Sequence, residues 1–160
     1  MDGATAGRTT LMGEGLQHQD GHSLLLAATI PACEAYDPAF AYELGAIIED
    51  GLDRMYPEGS IDGEDVYYYI SIYNENYEQP PRPDHVDNHD ITSGLYMFET
   101  GPDLGEGSKN ATILFSGPSF LAAKEAQDIL AADYNVSAEL WSVTSYKRLR
   151  NDAIDSQRLS

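Results

Sequence analysis

Apolar residues along this chain fall into short blocks separated by glycine- and proline-rich breaks. Residues 24–30 (LLLAATI) form the first block, and a short continuous apolar run of this kind predicts a buried strand. Tyr36-Asp37-Pro38 then marks a helix start, with Asp37 as cap and Pro38 at the first helical position. Phe40, Leu44, Ile47, Ile48 and Leu52 recur at helical spacing and predict one apolar stripe, which Pro57 and Gly59 end. Residues 66–73 (VYYYISIY) are continuously aromatic or β-branched apart from one serine. That predicts a strand buried on both faces, as in a parallel sheet. Strand, helix and strand in this order make a βαβ unit with a right-handed crossover.

Residues 78–93 break the pattern. Pro80, Pro81 and Pro83 impose an extended or polyproline-like path, and a polar stretch with His85 and His89 follows. The segment reads as an interdomain linker, with both histidines in solvent. Beyond it, residues 94–99 predict a short strand and 101–109 a glycine-rich turn without the strand-to-helix context of a phosphate loop. A strand over 111–115, a helix over 119–134 and a strand over 138–143 follow. Thr144-Ser145 caps a last helix from 146 to about 154. The chain thus reads as α/β throughout, in two pieces, 1–77 and 94–160, joined by 78–93. Neither piece has the strands of a complete doubly wound sheet. The expectation is an internal segment: the end of one α/β domain and the start of another.

Residues 1–23 have neither helical nor strand period and read as loop. Within them, 8–23 concentrate glycines, Glu14, His18, Asp20 and His22. Glycine loses the most backbone freedom on ordering, so an ordered loop of this kind is expected to place side chains. His18 and His22 are four apart, the spacing of a helical metal pair, but Gly13, Gly15 and Gly21 argue against a helix. No third ligand has suitable spacing, and no metal site is expected. Taken alone, the histidines are either structural imidazoles or site residues, and Arg8 is either a surface arginine or an anion ligand. Asn74 and Asn76 follow the second strand of the βαβ unit, where α/β sheets place ligands and where turn residues also gather.

The runs Arg8-Thr9-Thr10-Leu11, Gly13-Glu14-Gly15-Leu16-Gln17-His18 and Asp20-Gly21-His22-Ser23 resemble one family in particular. So do Thr29-Ile30-Pro31, Tyr36-Asp37-Pro38, Ala41-Tyr42-Glu43, Asp53-Arg54-Met55-Tyr56, Tyr67-Tyr68-Tyr69-Ile70, Asn74-Glu75-Asn76-Tyr77 and Ser142-Val143-Thr144-Ser145. Together they resemble the homodimeric type of pyruvate dehydrogenase E1, a thiamine diphosphate enzyme of the transketolase superfamily. The resemblance implies the end of a pyrimidine-binding transketolase-like domain, with a parallel sheet and crossover helices, followed by the start of a transketolase C-terminal-like α/β domain. It implies a parent that decarboxylates pyruvate on thiamine diphosphate with Mg²⁺ and acetylates the lipoyl group of an E2 partner. It further implies a homodimer in the cytoplasm.

On this resemblance His18 is the catalytic residue, near the bound 2-oxo acid. Asp20, His22 and Glu14 orient the loop, Arg8 binds an anion or fixes the loop, and Asn74 and Asn76 lie by the pocket. The family often has a further histidine after the serine, where this chain has Leu24. Family members hold the diphosphate and Mg²⁺ with Gly-Asp-Gly and a later Asn. Here each Asp-Gly, at 20–21, 50–51 and 62–63, is preceded by Gln19, Glu49 or Ile61. The segment alone is therefore expected to bind no cofactor and to be inactive.

Charge narrows the partners. The net charge of −18 and pI near 4.2 argue against nucleic acid or an anionic membrane surface. The plain reading of the acid surplus is a solvated acidic surface; lysine stands only at 109, 124 and 147, which leaves a high-salt habitat, where screening relieves self-repulsion, as the alternative. Cys33 is the single cysteine and has no cation beside it in sequence, so a buried structural thiol is expected. No apolar run reaches the ~18 residues of a membrane span, and no signal peptide is visible. The alternative reading is a stand-alone acidic α/β module that binds a cationic or protein partner without catalysis. It requires Met1 and Ser160 to be true ends. A serine hydrolase lacks its Gly-x-Ser-x-Gly and a Rossmann enzyme its Gly-x-Gly-x-x-Gly.

Overall fold

A computed structural model of the chain describes residues 20–73 and 76–159. Its first element is helix α1 (Ser23–Ala28), where a strand over 24–30 is expected. Leucine and alanine are strong helix formers and the run 23–28 has no β-branched residue, so propensity favours the helix. Asp20 Oδ1 accepts the Ser23 N–H at 3.0 Å and fixes the entry. The first strand comes later, β1 (Cys33–Tyr36), with all four residues buried. The expected buried thiol of Cys33 is there, 1% exposed.

Helix α2 (Ala41–Met55) leads to β2 (Tyr67–Ile70), which pairs parallel with β1, Cys33 opposite Tyr67 and Tyr36 opposite Ile70. The βαβ unit exists, built on a different first strand. Its second strand is shorter and wetter than residues 66–73 predict: Tyr67 is 48% and Ile72 66% exposed. Among the described residues β2 pairs with β1 alone, which leaves its other edge without a neighbour.

Helix α2 also starts later than expected, with Phe40 rather than Asp37 at the cap. Asp37 serves as a junction instead. Its N–H donates to the Thr144 carbonyl at 2.8 Å, its carbonyl accepts from Gly117 N–H at 3.3 Å, and Oδ1 accepts the Tyr73 hydroxyl at 2.6 Å. The buried face of α2 carries Glu43, Ala46, Ile47 and Gly51, while Ile48 and Leu52 of the expected stripe are exposed. Gly51 explains part of this rotation. A Cβ there would lie 3.1 Å from Tyr68 Cε2, so the missing side chain lets the tyrosine ring lie against the helix.

Helix α3 (Asn88–Ser93) forms inside the stretch expected to be linker. Asp87 caps it by accepting the Asp90 N–H at 2.9 Å, and Gly94, at φ 107°, ends it. Val86 and Ile91 from this stretch enter the core. His85 and His89 are exposed, and His85 Nε2 lies 2.9 Å from the Met97 carbonyl.

The remaining elements are β3 (Tyr96–Glu99), β4 (Lys109–Phe115), α4 (Phe120–Tyr134), β5 (Val136–Ser142) and α5 (Tyr146–Leu159). They follow the sequence pattern closely, except that α5 runs past 154. Ser145 Oγ accepts the Arg148 N–H at 3.1 Å, the expected cap of α5. The sheet order is β3-β5-β4, with β4 parallel and β3 antiparallel to β5. An aromatic cluster joins both parts of the chain. The Phe40 ring lies 5.1 Å from Phe98, 6.0 Å from Phe115 and 4.9 Å from Phe120. Tyr36, Ile47, Ile91 and Leu140 pack around it, so the β1–α2–β2 unit and the three-stranded sheet share one core.

Candidate active site

Arg8, Glu14, His18 and Asn74 of the expected site lie outside the described residues. Asp20, His22 and Asn76 lie within them. Asp20 is half-buried and ties the end of the loop to α1 through Ser23. His22 is the exposed N-cap residue of α1, and its carbonyl accepts the Leu26 N–H at 2.9 Å. Asn76 is exposed beyond β2. The structure places Asp20 and His22 together at one helix start and Asn76 on a different segment.

Two clefts open at the ends of the strands. The first, about 210 Å³, runs between α1 and α5, with Leu24, Leu25 and Ala28 on one wall and Asp37, Tyr146 and Arg150 on the other. It lies past the carboxyl ends of β1 and β5, the position where α/β sheets bind ligands. The second, about 170 Å³, lies between the start of α2 and the segment after β2, lined by Phe40, Leu44, Ser71, Tyr73 and Tyr77.

Neither cleft collects acids for a divalent cation. Among the described residues, Asp87, His89 and Asp90 are the His/Asp group close enough to hold one. There each aspartate accepts the other's backbone N–H at 2.9 Å, a reciprocal helix cap, and the Asp90 N–H holds the Asp87 carboxyl below its ordinary range. Two of the three Asp-Gly aspartates among the described residues already accept hydrogen bonds within the chain. Asp20 accepts the Ser23 N–H at 3.0 Å just ahead of α1, Asp50 accepts the Tyr68 hydroxyl at 2.6 Å, and Asp62 is exposed in a loop. The described residues do not fit a diphosphate–metal site.

The sequence reading missed three polar centres, of which Lys147 lines the first cleft. Lys147, 6% exposed, donates to the backbone carbonyls of Ile30 and Cys33. Arg54 gathers Glu34, Glu64 and the Tyr68 hydroxyl. Glu43 lies fully buried under the start of α2. Lysine scarcity was a usable signal for Lys147, since a lysine kept in so acidic a chain has a reason to stay. For Glu43 the signal was an acid on the helix's own inward spacing with Ala46, Ile47 and Gly51.

In fold the chain is transketolase-like. A transketolase variant from Pichia stipitis superposes with a TM-score of 0.60 over 84% of this chain and 17% of that chain, at 13% identity. A second variant of that enzyme gives 0.59 over 83% of the chain. In sequence the match is closer. Residues 1–80 match the family described as the pyruvate dehydrogenase E1 component middle domain. The pyruvate dehydrogenase E1 component of Mycolicibacterium smegmatis is 53% identical over 98% of this chain. Those of Mycobacterium tuberculosis and Escherichia coli K12 are 50% and 48% identical over the same share. The chain belongs to the pyruvate dehydrogenase E1 family, and it spans 17% of the length of these relatives.

Proposed function

We propose that this chain is a segment of a pyruvate dehydrogenase E1 subunit. It covers the end of the pyrimidine-binding middle domain (1–77), a connecting stretch (78–93) and the start of the C-terminal-like domain (94–160). The observation that carries this reading is identity of 53% along 98% of the chain to one such enzyme. The whole protein decarboxylates pyruvate and passes the acetyl group to the lipoyl arm of an E2 partner, as a cytoplasmic homodimer. Thiamine diphosphate with Mg²⁺ supplies the carbanion chemistry, held by parts of the subunit other than these residues.

Within the segment His18 is the catalytic residue. An imidazole there hydrogen-bonds the 2-oxo acid and moves a proton near neutral pH. Glu14, Asp20 and His22 orient the loop, and Arg8 anchors it or binds an anion. The bond from Asp20 to the Ser23 N–H supports this, because it ties the loop's end to a helix. Asn74 and Asn76 flank the pocket from the end of β2. The segment alone is inactive.

The test is a graft of residues 1–160 into the Mycolicibacterium smegmatis relative in place of its matching stretch. CO₂ release from pyruvate is measured with thiamine diphosphate, Mg²⁺ and the relative's lipoyl-bearing E2 added, the lipoyl disulfide taking up the acetyl group and the electron pair. The graft should keep activity within about tenfold, and His18→Ala in it should lower kcat by about 10²–10⁴-fold. A graft that folds but releases no CO₂, or an isolated segment that does, overturns the reading.

A further inference from the structure

Glu43 is 0% exposed, and among the described residues no ion pair reaches it. Four donors converge on its carboxylate instead. Oε2 accepts from the Ala39 N–H at 2.5 Å and the Phe40 N–H at 3.1 Å. Oε1 accepts from the hydroxyls of Tyr96 and Ser142, both at 2.6 Å. The Tyr96 hydroxyl lies 2.7 Å from that of Tyr42, which is half-buried. The partners belong to the entry of α2, to β3 and to β5, so one carboxylate fastens the helix to the sheet across 99 residues of sequence.

We propose that Glu43 is a proton-linked clasp between α2 and the β3-β5-β4 sheet, served by the Tyr42–Tyr96 hydroxyl chain. The chemistry of the donors supports it. Backbone N–H groups only donate, whereas hydroxyls can reverse. When a proton from water arrives, the new Oε1–H donates to the Tyr96 oxygen. Tyr96 then donates to Tyr42, and Tyr42 turns its own hydrogen outward. The carboxyl titrates without water entering the core. In the neutral form it accepts from three donors instead of four, and pulls on them less strongly, so the junction loosens.

Burial pushes the Glu43 carboxyl above its ordinary value, against the pull of its hydrogen bonds to Ser142 and Tyr96. Few other groups face it. Among the described residues Tyr42 of its own helix and Tyr96 of β3 are the titratable neighbours, and β5 offers the Ser142 hydroxyl. Arg82, ahead of α3, acts on the Tyr42 end. On α3, Asp87 and Asp90 bond within their own turn and His89 is exposed.

The test needs no activity. Trp141, the single tryptophan, precedes Ser142 on β5 and reports on the clasp. Its fluorescence is followed in the 160-residue chain between about pH 8 and pH 4.5. A one-proton transition is expected with its midpoint above the ordinary glutamate value of about 4.3. It should persist in Glu139→Gln, which removes the acid bonded to the Trp141 indole N–H at 3.0 Å, and vanish in Glu43→Gln. Where Glu43→Gln fails to fold, Tyr42→Phe decides. Without Tyr42 the Tyr96 hydroxyl has no acceptor in the protonated state, so the midpoint should fall by about half a unit or more. The absence of a transition in the wild-type chain overturns the proposal. So does a transition that survives in folded Glu43→Gln or one that Tyr42→Phe leaves in place.

Discussion

Lys147 Nζ lies 2.6 Å from the carbonyl oxygen of Ile30, although 117 residues separate them in sequence. The same ammonium donates to Cys33 and lies 3.4 Å from the Pro31 carbonyl, so it gathers the turn between α1 and β1 under α5. No carboxylate takes part. Replacing the lysine strands carbonyls of a turn whose strand, β1, is buried throughout. A charge-assisted hydrogen bond of this kind contributes about 1.5–3 kcal/mol. Lys147→Met should therefore cost about 2–3 kcal/mol in urea unfolding, with far-UV dichroism otherwise unchanged. A cost below about 0.5 kcal/mol would show that water replaces the ammonium freely.

Arg54 should not tolerate lysine. Its Nη2 bonds both Glu64 at 2.6 Å and Glu34 at 3.1 Å, its Nε bonds Glu64 again at 3.0 Å, and its Nη1 bonds the Tyr68 hydroxyl at 3.1 Å, so all three nitrogens of one planar fork are used. Its side chain is only 19% exposed and that of Glu34 11%, so solvent screening is limited. Lysine brings a point charge that cannot serve all three. Arg54→Lys should cost about 1–2 kcal/mol. Arg54→Ala should cost more, because among the described residues Glu34 then keeps Arg148 alone, at 3.6 Å. Equal costs for the two variants in thermal unfolding would refute the fork argument.

The second part of the chain was the more legible in sequence. Its strands and helices alternate with clear breaks, as at Ser116-Gly117-Pro118 ahead of α4 and at Thr144-Ser145 ahead of α5. The first part misled where one local signal met tertiary demand. Leu24-Leu25-Leu26 is apolar enough for a strand, yet Leu25 is 64% and Leu26 63% exposed on a helix. Asp37-Pro38 has the chemistry of a helix cap, but Asp37 is needed by Thr144, Gly117 and Tyr73, residues far off in sequence. Glu43 broke the polarity rule because its four partners come from three elements, and no periodicity encodes such convergence. Site residues were legible only through family resemblance: the loop of His18 has no regular pattern, and the structure describes only its end, from Asp20.

Gly117 should resist even alanine. Its φ is +52°, and a Cβ would lie 2.8 Å from Cε2 of Tyr73. The same residue donates its N–H to Asp37, which also accepts the Tyr73 hydroxyl, so neither ring nor backbone is free to retreat. Gly117→Ala should cost about 2 kcal/mol, roughly half from the left-handed backbone and half from the contact. In a Tyr73→Ala background the contact share should disappear and about 1 kcal/mol should remain. An additive double variant would place the whole cost in the backbone.

Acid should erase what Glu64 contributes. The hydrogen bond from Arg54 is the main reason its carboxyl lies below its ordinary value. Because the folded value is the lower one, the folded state holds fewer protons than the unfolded chain as pH passes between the two. The stabilisation is then present above the unfolded value and is lost as pH falls through the folded one. Glu64→Gln should lower the urea midpoint at pH 7, and the gap to wild type should close as pH falls below the ordinary glutamate range and through the lower folded value. Added salt should narrow it at pH 7 as well, since the carboxylate is exposed and screened. A gap of the same size at acid pH would mean that Glu64 acts by packing on Arg54 rather than by charge.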